Sequence, residues 1–283
     1  MTPAGAIRRR QIQRYQQGQA PRQQRDQLSS EEPLEIRLVT GPQGSPSHHP
    51  LTLTMRTPGH DYELAAGLLF SEGLIQRKAE IVKMLYCVGA DKETQNYNVL
   101  QVRLHPELQP NLEALTRFSP SQTSCGLCGK VQIEQLQSVM FPDFGPHSPQ
   151  LSAEQIYALP EQLPGQQPIF ARTGGVHAAA LFDTQGQCLY VAEDVGRHNA
   201  LDKLIGYFLL QDQLPLLDKI LLLSGRTSYD MIQKALRASI PVVAAVGAPS
   251  SLAVELAASY DQTLIGFLKA GSFNVYSGFG RLC

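Results

Sequence analysis

Cys125 and Cys128 stand three residues apart in Ser124-Cys125-Gly126-Leu127-Cys128-Gly129-Lys130. Four chemistries compete for such a pair. A zinc site needs four ligands, usually supplied as two close pairs. A second CxxC or an HxxxH is missing, so His177 or His198 would have to be recruited from far along the chain. Zinc deaminases use a split site of that kind, but their signature is H-x-E followed by P-C-x-x-C. Here His177 is followed by Ala178 and Ala179, and the cysteine pair precedes the histidine and lacks the proline. A redox dithiol wants a strand before the pair and a helix after it. The polar stretch Thr116–Ser124 meets that context only in part. A pair that merely occupies a loop would oxidise readily, given its glycine flanks. The fourth chemistry is sulfur carriage: a thiolate takes the outer sulfur of a donor persulfide by the displacement logic of thiol–disulfide exchange. It needs an exposed, ionised sulfur. Gly126 and Gly129 leave the thiols uncrowded, and Lys130 with a following helix N-terminus favours thiolate. On residue chemistry alone, all four remain open.

The other chemistry-bearing residues have blander readings. Cys87 and Cys188 fall in strand patterns and read as small core residues, and Cys283 ends the sequence. Five cysteines in 283 residues do not form a secreted disulfide framework. His48, His49, His60, His105 and His147 sit near prolines or in loops and read as surface groups. His177 and His198 flank motifs at strand ends, where a ligand contact and a hydrogen-bonded structural role weigh equally.

The elements that must position these residues alternate along the chain. Val176–Asp183 and Cys188–Asp194 read as strands. Gly196–Gln211 reads as an amphipathic helix burying Leu201, Leu204, Ile205 and Phe208. Strand, helix, strand, helix and strand then follow at 219–225, 229–239, 241–247, 251–259 and 262–269. Such alternation predicts a sheet, parallel in this part and covered by helices. Earlier, strands at 33–39, 51–56, 83–89 and 97–104 and a helix over 59–75 predict a small α+β unit. Ser152 and Gln155 are spaced as a capping box for a short helix. The predicted organisation is a disordered Arg/Gln-rich tail at 1–30, a small α+β domain at 31–120, a mobile CxxC loop at 121–130 and an α/β domain at 131–283.

In open α/β sheets, ligands sit beyond the carboxyl ends of the strands. Residues 224–228 (SGRTS), 247–251 (GAPSS), 268–273 (LKAGSF) and 193–198 (EDVGRH) all fall there. With Arg172, Arg197 and Arg226 they can turn backbone N–H groups and guanidinium groups toward an anionic ligand. None is a P-loop or a GxGxxG fingerprint. The chain is 43% hydrophobic and 17% charged, with a formal net charge of −1. That balance gives no reason to expect nucleic acid or membrane as a partner. No apolar run reaches the roughly 18 residues of a spanning helix. The arginines of the first 30 residues are followed by no apolar h-region, and a cytoplasmic location is expected.

Taken together, the motifs resemble the formate dehydrogenase accessory sulfurtransferase family, FdhD. The likeness spans about residues 31–277. It rests on EEPLEIRL, MRTPGHDYELAAGLLFSEGLI, SCGLCGK, RTGGVHAAAL, EDVGRHNALDKLIG, SGRTSYDMIQKA, IPVVAAVGAPSSLAVELA and GFLKAGSFNVYS, in that order. The resemblance implies a cytidine deaminase-like three-layer α/β/α C-terminal domain with a smaller N-terminal α+β domain, in a homodimer. It implies a sulfurtransferase that takes sulfur from a cysteine desulfurase. The sulfur is passed to the molybdenum (or tungsten) bis-pyranopterin guanine dinucleotide cofactor before that cofactor enters formate dehydrogenase. In this likeness Cys125 is the persulfide carrier and Cys128 the second thiol. Phe267, Leu268, Lys269, Ala270, Gly271 and Ser272 match the run that contacts the cofactor's guanine nucleotide moieties. The cofactor is bound as substrate, and no tightly held metal of the protein's own is expected. The alternative is a cofactor-binding chaperone in which the cysteines do no catalytic chemistry. The first 30 residues and the terminal Gly278–Cys283 lie outside the resemblance.

Overall fold

The computed structural model describes residues 3, 5–42, 44–87, 97–110, 144 and 149–283. Cys125, Cys128 and the expected CxxC loop lie outside the described residues.

The parallel centre that alternation predicts is three strands wide. β9 (Ile220–Leu223), β10 (Val242–Ala245) and β11 (Thr263–Lys269) run parallel, linked by α5 (Tyr229–Arg237) and α6 (Ser251–Ser259). Antiparallel strands flank them: β7 (His177–Phe182) and β8 (Cys188–Asp194) on one side, β12 (Ser272–Ser277) on the other. The order of this six-stranded sheet is β12-β11-β10-β9-β7-β8. Its central strands bury both faces, as helix-covered strands must. Leu221, Leu223, Val243 and Ala245 face one hydrophobic cluster, and Ile220, Leu222, Val242 and Ala244 face another. On the first face lie α4 (Arg197–Leu210), α5 and α6; on the second lie α2 (Ala153–Ala158) and two short 3₁₀ turns, and the one-turn α3 (Phe170–Thr173) precedes β7. The fold is thus α/β with helices on both faces of a mixed sheet. The capping box of α2 forms: Ser152 Oγ accepts from the Gln155 backbone N–H at 3.3 Å, and Gln155 Oε1 accepts from the Ser152 N–H at 2.8 Å.

The second sheet orders β4 (Ser47–Arg56), β3 (Glu32–Thr40), β6 (Val99–Leu104) and β5 (Ile81–Tyr86). Leu34, Ile36 and Leu38 alternate inward on β3, while Glu35 and Arg37 pair with each other on the outer face at 2.7 Å. The two sheets share one core. α1 (Asp61–Ser71) packs on α4, and the same hydrophobic cluster runs from Leu34 and Leu100 through Leu64, Leu69, Leu204 and Ile205 to Leu221. The helices cross at glycines. A Cβ on Gly67 would stand 1.8 Å from the Asp202 carbonyl oxygen, and one on Gly206 1.8 Å from that of Glu63. Only hydrogen side chains permit such an approach.

The N-terminal segment departs from expectation. Residues 7–29 are not a disordered tail but an antiparallel hairpin of β1 (Ile7–Arg14) and β2 (Arg22–Ser29). Its root is fastened: Ala6 is buried with Ile169 and Val176, Ser29 Oγ donates to the Gly175 carbonyl at 2.9 Å, and Arg8 pairs with Glu32. The predicted elements end with the strand at 262–269, and β12 is an addition to them.

Candidate functional site

Six strand ends meet on one side of the six-stranded sheet. β9, β10 and β11 end there, the antiparallel β7 and β12 begin there and β8 ends there, bringing His177 opposite Asp194 and Ser272 opposite Lys269. Glycines let the loops touch. A Cβ on Gly247 would lie 2.7 Å from the Gly225 carbonyl oxygen, and one on Gly225 would lie 3.2 Å from His177 Nδ1. Backbone bonds then lace the edge together: Gly247 N–H to the Gly225 carbonyl at 3.2 Å, Thr227 N–H to Ala248 at 3.1 Å and Phe267 N–H to Gly247 at 3.1 Å. Ser224 Oγ accepts from the Ala178 N–H at 2.9 Å, pinning β7 to the loop after β9.

Beneath this edge is a buried ionic network. Asp194, fully buried, accepts from Lys203 Nζ at 2.7 Å, from the Thr57 N–H at 3.1 Å, from the Gly196 N–H at 2.8 Å and from Asn199 Nδ2 at 3.1 Å. Lys203 also donates to the Thr57 carbonyl at 2.8 Å, and Asn199 to that of Met55 at 2.8 Å. A carboxylate so fully engaged orients its neighbours and is not free to act as a base. Its effect is to fix the start of α4, where Gly196 supplies no side-chain cap and leaves the first N–H groups of a 14-residue helix for another acceptor. Arg197 follows, and among the described residues its buried Nε has no hydrogen-bond partner; the same holds for Thr227 Oγ1. Arg226 is exposed at the rim. This combination of helix N-terminus, guanidinium groups and loop amides suits an anion.

The two histidines sit at this rim. Burial pushes His177 below its ordinary value of 6.5, and the Arg197 charge pushes it the same way against the pull of Asp194. His198 is lowered by burial and by Lys234 and Arg197, although its Nε2 lies 3.8 Å from Asp230 Oδ2 and 3.5 Å from Ser228 Oγ. Both imidazoles are therefore mainly neutral near pH 7.

Of the residues expected to meet a cofactor, Phe267, Lys269, Ala270, Gly271 and Ser272 are exposed and Leu268 is buried in the core. Phe267 is unusual. It adopts φ +54 within β11, where the register with β12 shifts between Gly266 and Lys269. An aromatic residue in the left-handed region is strained, and a bulge re-aims the side chain; Phe267 is left 49% exposed. Arg172, grouped by sequence with the anion-binding arginines, instead donates to Gln27 Oε1 on the hairpin, from Nε at 2.9 Å and Nη2 at 2.6 Å. Sequence reasoning passed over Thr57, Asn199 and the burial of Lys203. Nothing in their local pattern marks them, since charged and amide side chains at a helix start usually face water.

The model of the FdhD/NarQ family matches residues 30–283. The chain belongs to the FdhD/NarQ family. Similar curated proteins named "Sulfur carrier protein FdhD" come from Streptomyces avermitilis (46% identical over 259 residues, covering 91% of this chain and 89% of that one) and Nocardia farcinica (44% identical over 283 residues, covering 100% and 92%). A third, from Sulfurisphaera tokodaii, is 38% identical over 252 residues, covering 89% of this chain and 90% of that one. The fold is also that of a crystal structure from Desulfotalea psychrophila described as a formate dehydrogenase accessory protein. The two agree with a TM-score of 0.72 at 22% identity, over 98% of this chain and 100% of that one. The FdhD/NarQ model begins where the hairpin ends, whereas the alignment with the Nocardia farcinica protein extends over the whole chain, β1 and β2 included.

Proposed function

We propose that this protein is a sulfur carrier in formate dehydrogenase maturation. Its Cys125 thiolate attacks the outer sulfur of a cysteine desulfurase persulfide; the donor S–S bond breaks and the donor leaves as thiolate. The acceptor is the molybdenum (or tungsten) bis-pyranopterin guanine dinucleotide cofactor, bound as substrate at the carboxyl edge of the six-stranded sheet. The observation that carries this reading is membership of a family whose relatives, 44–46% identical over about 90% of the chain or more, are named sulfur carriers. The edge is suited to the cofactor's nucleotide end. The α4 N-terminus, Arg197 and Arg226 face phosphate, Phe267 stacks on the base, and Lys269 supplies a further cation. Cys128, as the neighbouring thiol, discharges or resolves the persulfide.

Intact mass after incubation with a cysteine desulfurase and cysteine tests the chemistry. The wild-type chain gains about 32 Da, reversed by reductant, and a Cys125→Ala variant does not. Loss of formate dehydrogenase activation in Cys125→Ala, with guanine nucleotide binding retained, accompanies it. No mass gain on either chain, with activation intact in the variant, would replace the carrier by a cofactor-binding chaperone.

A further inference from the structure

We propose that the β1–β2 hairpin is a docking arm for an acidic protein surface, presented beside the sheet-edge site. Residues 1–30 hold six arginines and one acid, Asp26, for a formal charge of +5; residues 31–283 hold 18 Lys/Arg and 24 Asp/Glu, for −6. The whole-chain value of −1 therefore hides a strong separation of charge. Directly opposite residues of an antiparallel pair share a face. By register, Arg8, Arg10 and Arg14 of β1 lie on one face with Asp26 and Arg22 of β2, and Arg9 and Arg25 lie on the other. Among the described residues, Arg8 has a carboxylate partner in Glu32, while Arg9, Arg10, Arg14, Arg22 and Arg25 are exposed and make no ion pair. Arg14 stands opposite Arg22. Like charges placed so oppose strand pairing, and an isolated two-stranded ribbon is marginal in water. Arg10 opposite Asp26 and the Gln11–Gln23 side-chain hydrogen bond at 2.8 Å favour pairing, and an external anion would offset the remaining repulsion among the arginines.

Position gives the ribbon a use. Its root is bonded to Gly175 through Ser29 and to Arg172 through Gln27, two and five residues before His177 at the sheet edge. The eight-residue strands project about 26 Å from there. Whatever binds the ribbon is held next to the loops that bind the ligand.

Charge complementarity selects the partner. A nucleic acid continues its negative charge past the ribbon and onto a body of −6, which repels it; a protein's acidic patch ends. In a second copy of this chain, Asp61, Asp194 and Asp202 are buried and Glu32, Asp212 and Asp261 are already paired. Exposed acids without an ion pair among the described residues, such as Glu31, Glu154, Glu161 and Glu255, lie on different elements, and dimerisation is therefore read in the test. The occupant is an acidic surface on a protein of the sulfur relay, and this choice of probes rests on the sulfur-carrier reading.

The test compares the full wild-type chain with two variants: Arg9→Glu/Arg10→Glu/Arg14→Glu/Arg22→Glu, and the same four positions changed to Lys. Each is titrated against the source organism's purified cysteine desulfurase, its formate dehydrogenase and a 20-base-pair DNA duplex, at about 50 and about 300 mM salt. The expected result is that the wild type binds one of the two proteins, that the Glu variant binds it at least about tenfold more weakly, and that the Lys variant stays within about threefold. Added salt weakens the wild-type complex and leaves the residual binding of the Glu variant little changed. Equal affinity of wild type and Glu variant, or no binding to either protein, overturns the proposal. So does tighter binding to the duplex than to both proteins, or a wild-type dimer that the Glu variant abolishes. Sulfur uptake from inorganic polysulfide, read by intact mass in all three chains, tests the carrier reading separately. Its failure in the wild type sinks that reading, while the affinity differences still decide the role of the arm.

Discussion

The residues beneath the sheet edge and the residues along it are both polar, and they behave as opposites. Below, Asp194, Lys203 and Thr57 are buried, Asn199 is half-buried, and the four satisfy one another. Along the edge, Arg226, Phe267, Lys269 and Ser272 are exposed, and Arg197 Nε and Thr227 Oγ1 lack partners among the described residues. The first set holds two sheets in register and spends its hydrogen-bonding capacity internally. The second keeps its capacity for something else. Polarity in a loop motif thus divides into architecture and recognition, and only the partners of each group tell them apart.

That division can be broken by mutation. The largest effect is expected at Asp194→Ala, which strands the Lys203 ammonium in the core and costs about 4 kcal/mol in urea or thermal unfolding. Pairing it with Lys203→Met should recover much of the loss. Gly206→Ala should cost about 3 kcal/mol, because its methyl group meets the Glu63 carbonyl. An edge substitution should invert the pattern. Phe267→Asn relieves an aromatic residue of its left-handed backbone, so stability holds or rises by about 1 kcal/mol. Guanine nucleotide affinity, measured by calorimetry, falls about tenfold. If Phe267→Asn destabilised the fold as Asp194→Ala does, the contrast between edge and support would collapse.

The smallest expected effect is in pH. His177 and His198 have folded values below the ordinary 6.5, so between those values the unfolded chain binds protons that the folded chain refuses. Stability then rises with pH across that window and is lost as pH falls through the ordinary histidine value of 6.5 toward the lower folded values. His177→Gln should flatten part of this slope in unfolding curves taken across the range, while leaving stability at pH 8 little changed.

Much of this molecule could be read before any coordinates. Cys188–Asp194 and Ser251–Ser259 have the bounds that their patterns predict, and Leu201, Leu204, Ile205 and Phe208 are buried on α4 as helical spacing requires. These elements carry their signal in apolar periodicity. The hairpin was missed for the converse reason: β1 and β2 alternate arginine and glutamine with only Ile7, Ile12 and Leu28 as apolar residues, so no face announces itself. The edge loops were legible from topology, since small residues after parallel strands mark ligand sites. Their support was not. Asp194 and Lys203 are nine apart in sequence and read as solvated charges, and only a folded α4 makes them a buried pair. Arg172 shows the same blindness, since its partner Gln27 is 145 positions away.

The close crossing of α1 and α4 also bears on how cargo can move. Two helices whose backbones nearly touch at Gly67 and Gly206 have no side-chain layer between them to shear, and any rocking of one sheet against the other drives peptide groups into collision. The two sheets therefore act as one chassis, with no hinge between them. On the sulfur-carrier reading proposed above, a small group would then be handed on without one sheet opening or closing against the other.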